Sequence, residues 1–180
     1  MIHIRLLDER LSDAFFAYLA KHISENGINN SPLFIPFTKE QSLLPDALKK
    51  QMYEGINKNF FEPNWRKVWV AVTEDNTITG HIDIKPHALL NTEHRVIMGM
   101  GVDSAFRKRK IGERLMLFII DFCKKNEKIE WIDLQVMAEN LAAIQLYEKM
   151  NFKITGVTND LFRIEGQSHD YISMALDLRT

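Results

Sequence analysis

Apolar residues recur along this chain with two spacings, one typical of strands and the other typical of helices. Alternate apolar positions within residues 2–7 predict a short strand with one face in a core. Phe15, Leu19 and Ile23 are instead four positions apart, which predicts an amphipathic helix. The start of the chain therefore already combines both kinds of element.

The same spacings divide the remainder of the chain. We expect helices over about 46–60, 112–126 and 139–150, and strands over 68–72, 78–84, 94–102, 129–136, 152–157 and 171–176. Three prolines make residues 28–45 mostly a loop, whose apolar residues either cover the core or form one wall of a pocket. The resulting order, β-α-α-β-β-β-α-β-α-β-β, describes an α/β domain built on one sheet.

Composition and charge narrow the class of protein. The chain has 180 residues, 46% of them hydrophobic, which suits a single domain over 1–180 with a substantial core. Its net charge is −1, so bulk electrostatics favour neither nucleic acid nor an anionic membrane. No apolar stretch approaches the roughly 20 residues that cross a bilayer, and the first residues lack signal-peptide architecture, so we expect a cytoplasmic protein. The lone cysteine, Cys123, is expected in the core.

Residues 95–113 combine a strand, a basic turn and the start of a helix. An apolar run interrupted by Gly99 and Gly101 leads into four consecutive bases, residues 107–110, and then into a helical pattern. A helix that starts after such a turn directs free N–H groups, the positive end of its dipole and fixed cations at one point. That arrangement binds phosphate groups. The alternatives for the four bases are a solvated surface turn and a nucleic-acid patch.

These residues resemble the pyrophosphate loop of the acyl-CoA-dependent N-acetyltransferases of the GNAT superfamily, which reads Arg/Gln-x-x-Gly-x-Gly/Ala after a bulged strand. Here the loop reads Arg107-Lys108-Arg109-Lys110-Ile111-Gly112, with Lys110 at a usual glycine position. If that position needs a positive φ, lysine costs about 1–2 kcal/mol and distorts the loop. Alternatively, Lys110 keeps ordinary backbone angles and adds a cation.

A second segment resembles the same family. Residues 139–152, ENLAAIQLYEKMNF, are similar to the family pattern Asn-x-x-Ala-x-x-Leu-Tyr-x-x-x-Gly-Phe. The matching residues are Asn140, Ala143, Leu146, Tyr147 and Phe152. Asn151 replaces the glycine, which is a mild exchange because both residues tolerate left-handed geometry at a helix end.

The resemblance implies the GNAT fold, a mixed central sheet of about seven strands flanked by about four helices, with two central strands splayed to admit acetyl-CoA. A bulge at Gly99 and Gly101 would free backbone groups to pair with the pantetheine arm, and the amides of 107–113 would hold the pyrophosphate. Asn140 would both start a helix and bind the arm. The donor-binding residues implied are Met100, Gly101, Val102, Arg107, Lys108, Arg109, Lys110, Ile111, Gly112, Glu113, Asn140, Ala143 and Tyr147.

The resemblance also implies an N-acetyltransferase that moves the acetyl group of acetyl-CoA to a primary amine by direct attack. Tyr147, by pattern alone a core aromatic residue, would be the general acid that protonates the departing thiolate. An ammonium has no lone pair, so a base or a water chain must remove its proton. The candidate bases are Glu93, our first choice, and His94, His81 and Asp83, each of which is otherwise a surface or structural residue. A strand N–H near Met100 would meet the oxyanion.

Other chemistries lack their motifs. Neither Gly-x-Ser-x-Gly nor a dinucleotide-binding glycine pattern occurs, and the six histidines show no metal-ligand spacing, so we expect no metal.

The rival functions are a non-catalytic acyl-CoA-binding sensor or interaction module and a nucleic-acid-binding domain. Residues 28–45, 86–94 and 158–169 would shape the acceptor pocket, and their acidic residues either attract a cationic amine or are solvated surface. Dimerisation through the last strands is common in the family, so a homodimer is an expected option.

Overall fold

The computed structural model of the chain describes residues 2–28, 31–41 and 43–179. The strands are β1 (His3–Leu6), β2 (Lys67–Val72), β3 (Ile78–Pro86), β4 (Arg95–Val102), β5 (Trp131–Met137), β6 (Lys153–Ile164) and β7 (Gln167–Asp177). The helices are α1 (Ser12–Ser24), α2 (Asp46–Ile56), α3 (Ile111–Lys124) and α4 (Leu141–Lys149), with short 3₁₀ turns at Glu9–Leu11 and Ser104–Phe106. This order of strands and helices confirms the predicted one.

The seven strands form one mixed sheet in the order β1-β2-β3-β4-β5-β7-β6. All neighbouring strands are antiparallel except β4 and β5, which are parallel. Those two strands pair only where Arg95–Ile97 lie beside Trp131–Asp133, and beyond that point their backbones are not paired. The wedge between them, here called the β4–β5 gap, confirms the splayed central pair that the family resemblance implied.

A charged contact holds the closed end of the gap. Arg95 donates from Nε and Nη2 to the two carboxylate oxygens of Asp133, at 2.8 and 2.5 Å. His87 adds a 2.8 Å contact to the same carboxylate, and the Arg95 guanidinium also lies over the Trp131 ring. A bidentate pair with restricted solvent access is among the stronger electrostatic contacts in proteins. It fixes β4 against β5 at one end and leaves the other end open.

The two faces of the sheet carry separate cores. On one face α3 buries Ile111, Leu115, Met116, Ile119 and Cys123 against β3, β4 and β5. On the other face α1 and α2 pack on β2, with Phe15, Leu19, Ile23 and Met52 buried. The predicted core position of Cys123 is confirmed, and burial raises the pKa of its thiol to about 12, so the thiolate is scarce at neutral pH.

The bulge predicted at Gly99 and Gly101 is wrong. The β3–β4 ladder runs without a register shift from Pro86–Val96 to Gly80–Val102. Register shifts occur instead between β2 and β3, where Thr79 is the extra residue, and between β6 and β7. The gap therefore arises from the divergence of two parallel strands, and the two glycines in β4 have another physical reason, given below.

Several predicted boundaries also differ. Helix α2 ends at Ile56 and not near residue 60, because Gly55 meets the returning chain at Asn64 and Arg66. Residues 158–169 are not an open connection: they belong mostly to the β6–β7 hairpin, which turns at Glu165 and Gly166. Strand β6 is exposed along almost its whole length, so its residues lack the apolar alternation that reveals a half-buried strand. No helix within the described ranges has the length and apolar character to cross a membrane.

Candidate active site

The basic loop ends in a left-handed residue that starts α3. Lys110 has φ 60° and ψ 15°, and Lys108 also has a positive φ of 61°. Of the two predicted alternatives for Lys110, the positive φ is therefore confirmed and the ordinary angles are wrong. Arg114 makes the bond from its N–H to the Lys110 carbonyl, which leaves the preceding N–H groups of the first turn directed away from the helix.

The four bases around this helix start have different surroundings. Arg107 donates to Ser31 Oγ at 2.9 Å and to the Val102 carbonyl at 3.4 Å, so it ties the loop to the connection after α1. The guanidinium of Arg109 lies 5.2 Å from the centre of the Phe106 ring. Lys108 and Lys110 are exposed. Three of the four predicted cations thus remain near the helix start with their charge open to solvent.

The open edge of β4 presents backbone groups to the gap. The N–H of Asp103 bonds the Thr79 carbonyl on the β3 side. Because successive N–H groups of a strand alternate in direction, those of Met100 and Val102 point to the opposite side, toward β5. At that level β5 does not pair with β4. The predicted partners for an extended ligand, Met100 and Val102, therefore line the gap, while Gly101 faces β3.

The two family-like motifs meet at the start of α3. A Cβ added at Gly112 would lie 3.2 Å from Leu146 Cδ2, so α4 packs closely against α3 where residue 112 has no side chain. Asn140 caps α4, accepting a hydrogen bond from the Ala143 N–H at 3.4 Å. Asn151 adopts φ 68° after α4, which agrees with the predicted tolerance of that exchange. Glu113 is paired with Lys149 at 2.8 Å, a second link between the helices.

Tyr147 lies on α4 with only 8% of its surface exposed, and its ring contacts Phe152. Among the described residues, no group forms a hydrogen bond with its phenol. Burial, and to a smaller extent Tyr171, raises the pKa of Tyr147 above its ordinary value. The phenol is therefore protonated at neutral pH and can donate a proton.

On the α1/α2 side of the sheet, alternate residues of β3 place Asp83 beside Gly99. A Cβ added at Gly99 would lie 2.7 Å from Asp83 Oδ1, so the carboxylate extends across β4. Its cationic neighbour is Arg66, whose Nη1 lies 3.6 Å from Asp83 Oδ2. Burial raises the pKa of Asp83, and Arg66 opposes that change. A carboxyl group with a raised pKa is a suitable proton acceptor near neutral pH.

The side chains of two histidines occupy the space beside Gly101, as Asp83 does beside Gly99. A Cβ at that residue would lie 2.5 Å from His22 Nε2 and 2.9 Å from His81 Cε1. His81 Nδ1 forms a 3.0 Å hydrogen bond with the hydroxyl of Tyr18, and His22 stacks between Tyr18 and Phe34. Burial lowers the pKa of His81 to about 4 and that of His22 to about 3, so both rings are neutral at pH 7.

The four candidate general bases for the proton transfer lie at different places in the structure. His81 and Asp83 are buried beside the glycines of β4. Glu93 and His94 lie in the turn before β4, at the closed end of the gap, and Glu93 is exposed. At about 3.3 Å per residue, that turn is roughly 20 Å along the strand from Met100. Glu93 is therefore distant from Met100 and from the open part of the gap.

Sequence reasoning missed three side chains of this region: Arg66, Tyr18 and His22. Tyr18 and His22 are four residues apart on α1, a spacing that places them on one helix face. Arg66 lies between α2 and β2 and carried no signal in the sequence. Two surface depressions, one lined by residues 122 and 125–128 and one between α1 and α2, include none of these residues. Within the described ranges, no three His, Cys, Asp or Glu residues could hold a metal ion.

Comparisons with known proteins agree with this arrangement. The L-amino acid N-acetyltransferase AaaT of Escherichia coli (strain K12) is 29% identical over 101 residues, which are 56% of this chain and 62% of that protein. The catalytic subunit NAA20 of the Arabidopsis thaliana N-terminal acetyltransferase B complex is 29% identical over 85 residues, 47% of this chain and 49% of its own. The chain thus spans about half to six-tenths of the length of these relatives.

A solved structure shares the fold. The protein yncA from Salmonella typhimurium, whose structure contains its cofactor acetyl-CoA, superposes with a TM-score of 0.78 over 99% of this chain and 94% of its own, at 18% identity. The profile of the Acetyltransferase (GNAT) family matches residues 36–152, a segment that contains both motifs and strands β2 to β5. The chain belongs to the GNAT acetyltransferase family.

Proposed function

We propose that this chain is an N-acetyltransferase that moves the acetyl group of acetyl-CoA to a primary amine by direct attack. The observation that supports it best is the β4–β5 gap. Backbone groups of β4 are unpaired along its open part and a buried carboxylate lies across β4, while the start of α3 and the protonated phenol of Tyr147 would complete the site. Each of these groups serves one requirement of the reaction.

Acetyl-CoA fits the groups that the gap offers. The N–H groups at Ile111, Gly112 and Glu113 and the cations of Lys108, Arg109 and Lys110 would hold the pyrophosphate. The backbone of Met100 and Val102 would pair with the pantetheine amides as an added strand. Asn140 and Ala143, at the start of α4, would contact the same arm. The fold neighbour that contains acetyl-CoA supports this choice of donor.

The chain's own groups then account for the proton transfers. Asp83 takes a proton from the acceptor ammonium, which frees the nitrogen lone pair for attack on the thioester carbonyl. The N–H of Met100 stabilises the negative charge that develops on the acyl oxygen. As the tetrahedral intermediate collapses, its nitrogen releases a second proton to solvent and Tyr147 donates its phenolic proton to the departing sulfur, so free CoA leaves as the thiol and the phenolate is reprotonated from solvent.

The acceptor is an amine that is protonated in solution. The relatives' names concern L-amino acids and protein N-termini, both of which carry an α-amino group. We therefore infer an α-amino acceptor. A panel of free amino acids, peptides and simple amines, assayed for acceptor-dependent thiol release from acetyl-CoA, tests the proposal. Binding of acetyl-CoA by calorimetry without thiol release for any amine would favour the non-catalytic acyl-CoA-binding module instead.

The assembly and location of the protein remain sequence predictions. Strand β6 is the edge of the sheet and exposes Ile154, Val157 and Leu161, which supports a homodimer through the last strands. Sedimentation analysis tests that inference, because a monomer at all concentrations contradicts it. A cytoplasmic location, without nucleic-acid or membrane partners, is consistent with the balanced charge.

A further inference from the structure

The half-buried guanidinium of Arg66 has no hydrogen-bond partner among the described residues. Only 13% of its side-chain surface is exposed. Its guanidinium forms no hydrogen bond with any residue in the described part of the chain, and its contact with Asp83 Oδ2, at 3.6 Å, is too long for one. A guanidinium carries five N–H donors, and no nitrogen of Arg66 is both sealed from solvent and without a partner. These donors have no protein acceptor and are open to a ligand.

The backbone of Arg66 is held firmly in place. Its N–H bonds the carbonyl of Gly55 at 2.9 Å, and a Cβ added at Gly55 would lie 3.1 Å from Arg66 Cβ. The close approach of α2 therefore fixes where the side chain starts. At the other end of the side chain, Nη1 lies 3.6 Å from Asp83 Oδ2, and these two constraints limit the positions of the guanidinium and the freedom lost when a ligand binds.

The charges near Arg66 favour an anionic group. Four polar side chains, here called the polar floor, lie on the α1/α2 side of the sheet: Arg66, His81, Asp83 and Lys85. Arg66 lowers the pKa values of both His81 and Lys85, in each case after the larger effect of burial, so its charge acts across the whole floor. The polar floor contains one negative side chain, Asp83, and two cationic side chains, Arg66 and Lys85. Its net charge is therefore positive.

We propose that Arg66 binds the carboxylate of the acceptor, so that the acceptor is a free α-amino acid whose ammonium meets Asp83. This inference rests on the proposed transferase function and specifies its substrate class. A zwitterion places one cation and one anion a few atoms apart, and Asp83 and Arg66 offer the opposite charges at adjacent positions. A simple amine would leave the guanidinium unpaired, and a peptide N-terminus would offer it only a neutral carbonyl oxygen.

The test compares acceptors that differ only in the carboxylate. Tyrosine is paired with tyramine, phenylalanine with phenethylamine and tryptophan with tryptamine, in thiol-release assays that give kcat and KM separately. The wild-type protein is expected to prefer each amino acid by on the order of 10- to 100-fold in kcat/KM, the usual size of a hydrogen-bonded charge contact. Arg66→Gln is expected to lose that preference through KM, and Arg66→Lys to keep part of it. Lys50→Gln, which removes an exposed cation from α2, is the matched control.

Binding measurements separate this inference from the proposed function. Calorimetry of tyrosine and tyramine with the CoA-loaded protein needs no turnover, and acetyl-CoA affinity verifies that each variant is folded. Thiol release with equal kcat/KM for the paired acceptors would overturn the role of Arg66 and leave the transferase standing. Tighter binding of tyrosine that Arg66→Gln removes, without thiol release for any acceptor, would support the carboxylate site and overturn the transferase. Equal binding of both compounds would overturn the carboxylate site.

Discussion

The carboxylate of Asp83 on β3 occupies the space in which a side chain of Gly99 on β4 would begin. An added Cβ would lie 2.7 Å from Asp83 Oδ1, closer than real Cβ contacts. Residue 99 must therefore lack a side chain for Asp83 to extend across β4 beside the gap. In the same way, the side chains of His22 and His81 occupy the space in which a side chain of Gly101 would begin.

Gly99→Ala is expected to displace Asp83 and to reduce turnover. The added methyl group meets a buried carboxylate, so we also expect a loss of about 1–3 kcal/mol in the free energy of unfolding. Denaturant titration and the thiol-release assay measure the two effects. Gly156→Ala on exposed β6 is the control, because an added Cβ there meets nothing within 4 Å. Full activity of Gly99→Ala would contradict a role for the Asp83 position.

Asp83→Asn and Glu93→Gln decide which carboxylate is the base. We expect Asp83→Asn to lower kcat by at least about 10²-fold, the usual contribution of a general base. Because burial raises the pKa of Asp83 and only the ionised form accepts a proton, wild-type kcat/KM should fall as the pH drops through that raised pKa. Asp83→Asn should lack this acidic limb. Loss of turnover in Glu93→Gln alone would restore the prediction made from sequence.

Tyr147→Phe is expected to lower kcat by about 10²-fold while leaving the affinity for acetyl-CoA unchanged. Removal of the hydroxyl takes away the proton donor but keeps the ring that packs against Phe152. Single-turnover measurements of thiol release follow the affected step directly. Tyr53→Phe, on the exposed face of α2, controls for loss of a phenol elsewhere. Unchanged turnover in Tyr147→Phe would exclude it as the acid.

The buried histidines predict an acid-sensitive fold. Their pKa values in the folded chain, about 4 for His81 and about 3 for His22, lie below the ordinary 6.5. Below pH 6.5 the unfolded chain binds protons that the folded chain does not, so stability falls with falling pH down to about pH 4. For His81 alone the loss between pH 7 and pH 5 is about 2 kcal/mol. Urea titrations of His81→Gln should show a weaker pH dependence, whereas exposed His3→Gln should match wild type.

Lys110→Gly is expected to stabilise the protein and weaken donor binding. Glycine removes the cost of about 1–2 kcal/mol that a left-handed lysine carries, so the free energy of unfolding should rise by that order. The variant also lacks a cation at the start of α3, so acetyl-CoA should bind less tightly, and more so at low salt. Lys108→Gly, at another positive φ, is the comparison. A destabilised Lys110→Gly would contradict the strain argument.

Local patterns in the sequence determined the order of elements, the basic loop before α3, and the motif that contains Asn140 and Tyr147. Such features depend on residues a few positions apart, and the period of apolar positions records which face is buried. Exposed β6 was predicted too short for the same reason: neither of its faces carries that period.

Only the tertiary structure decided why β4 contains Gly99 and Gly101, and which polar groups lie beside the gap. Three of these polar groups come from separate parts of the chain: Asp83 from β3, His22 from α1 and Arg66 from the segment before β2. A spacing pattern within one helix or strand therefore cannot relate them. Glu93 is close in sequence to the gap-lining strand, yet the length of β4 places it at the closed end. Contacts between residues far apart in the chain are set by strand register and by the packing of helices across the sheet, and a linear pattern does not contain that information.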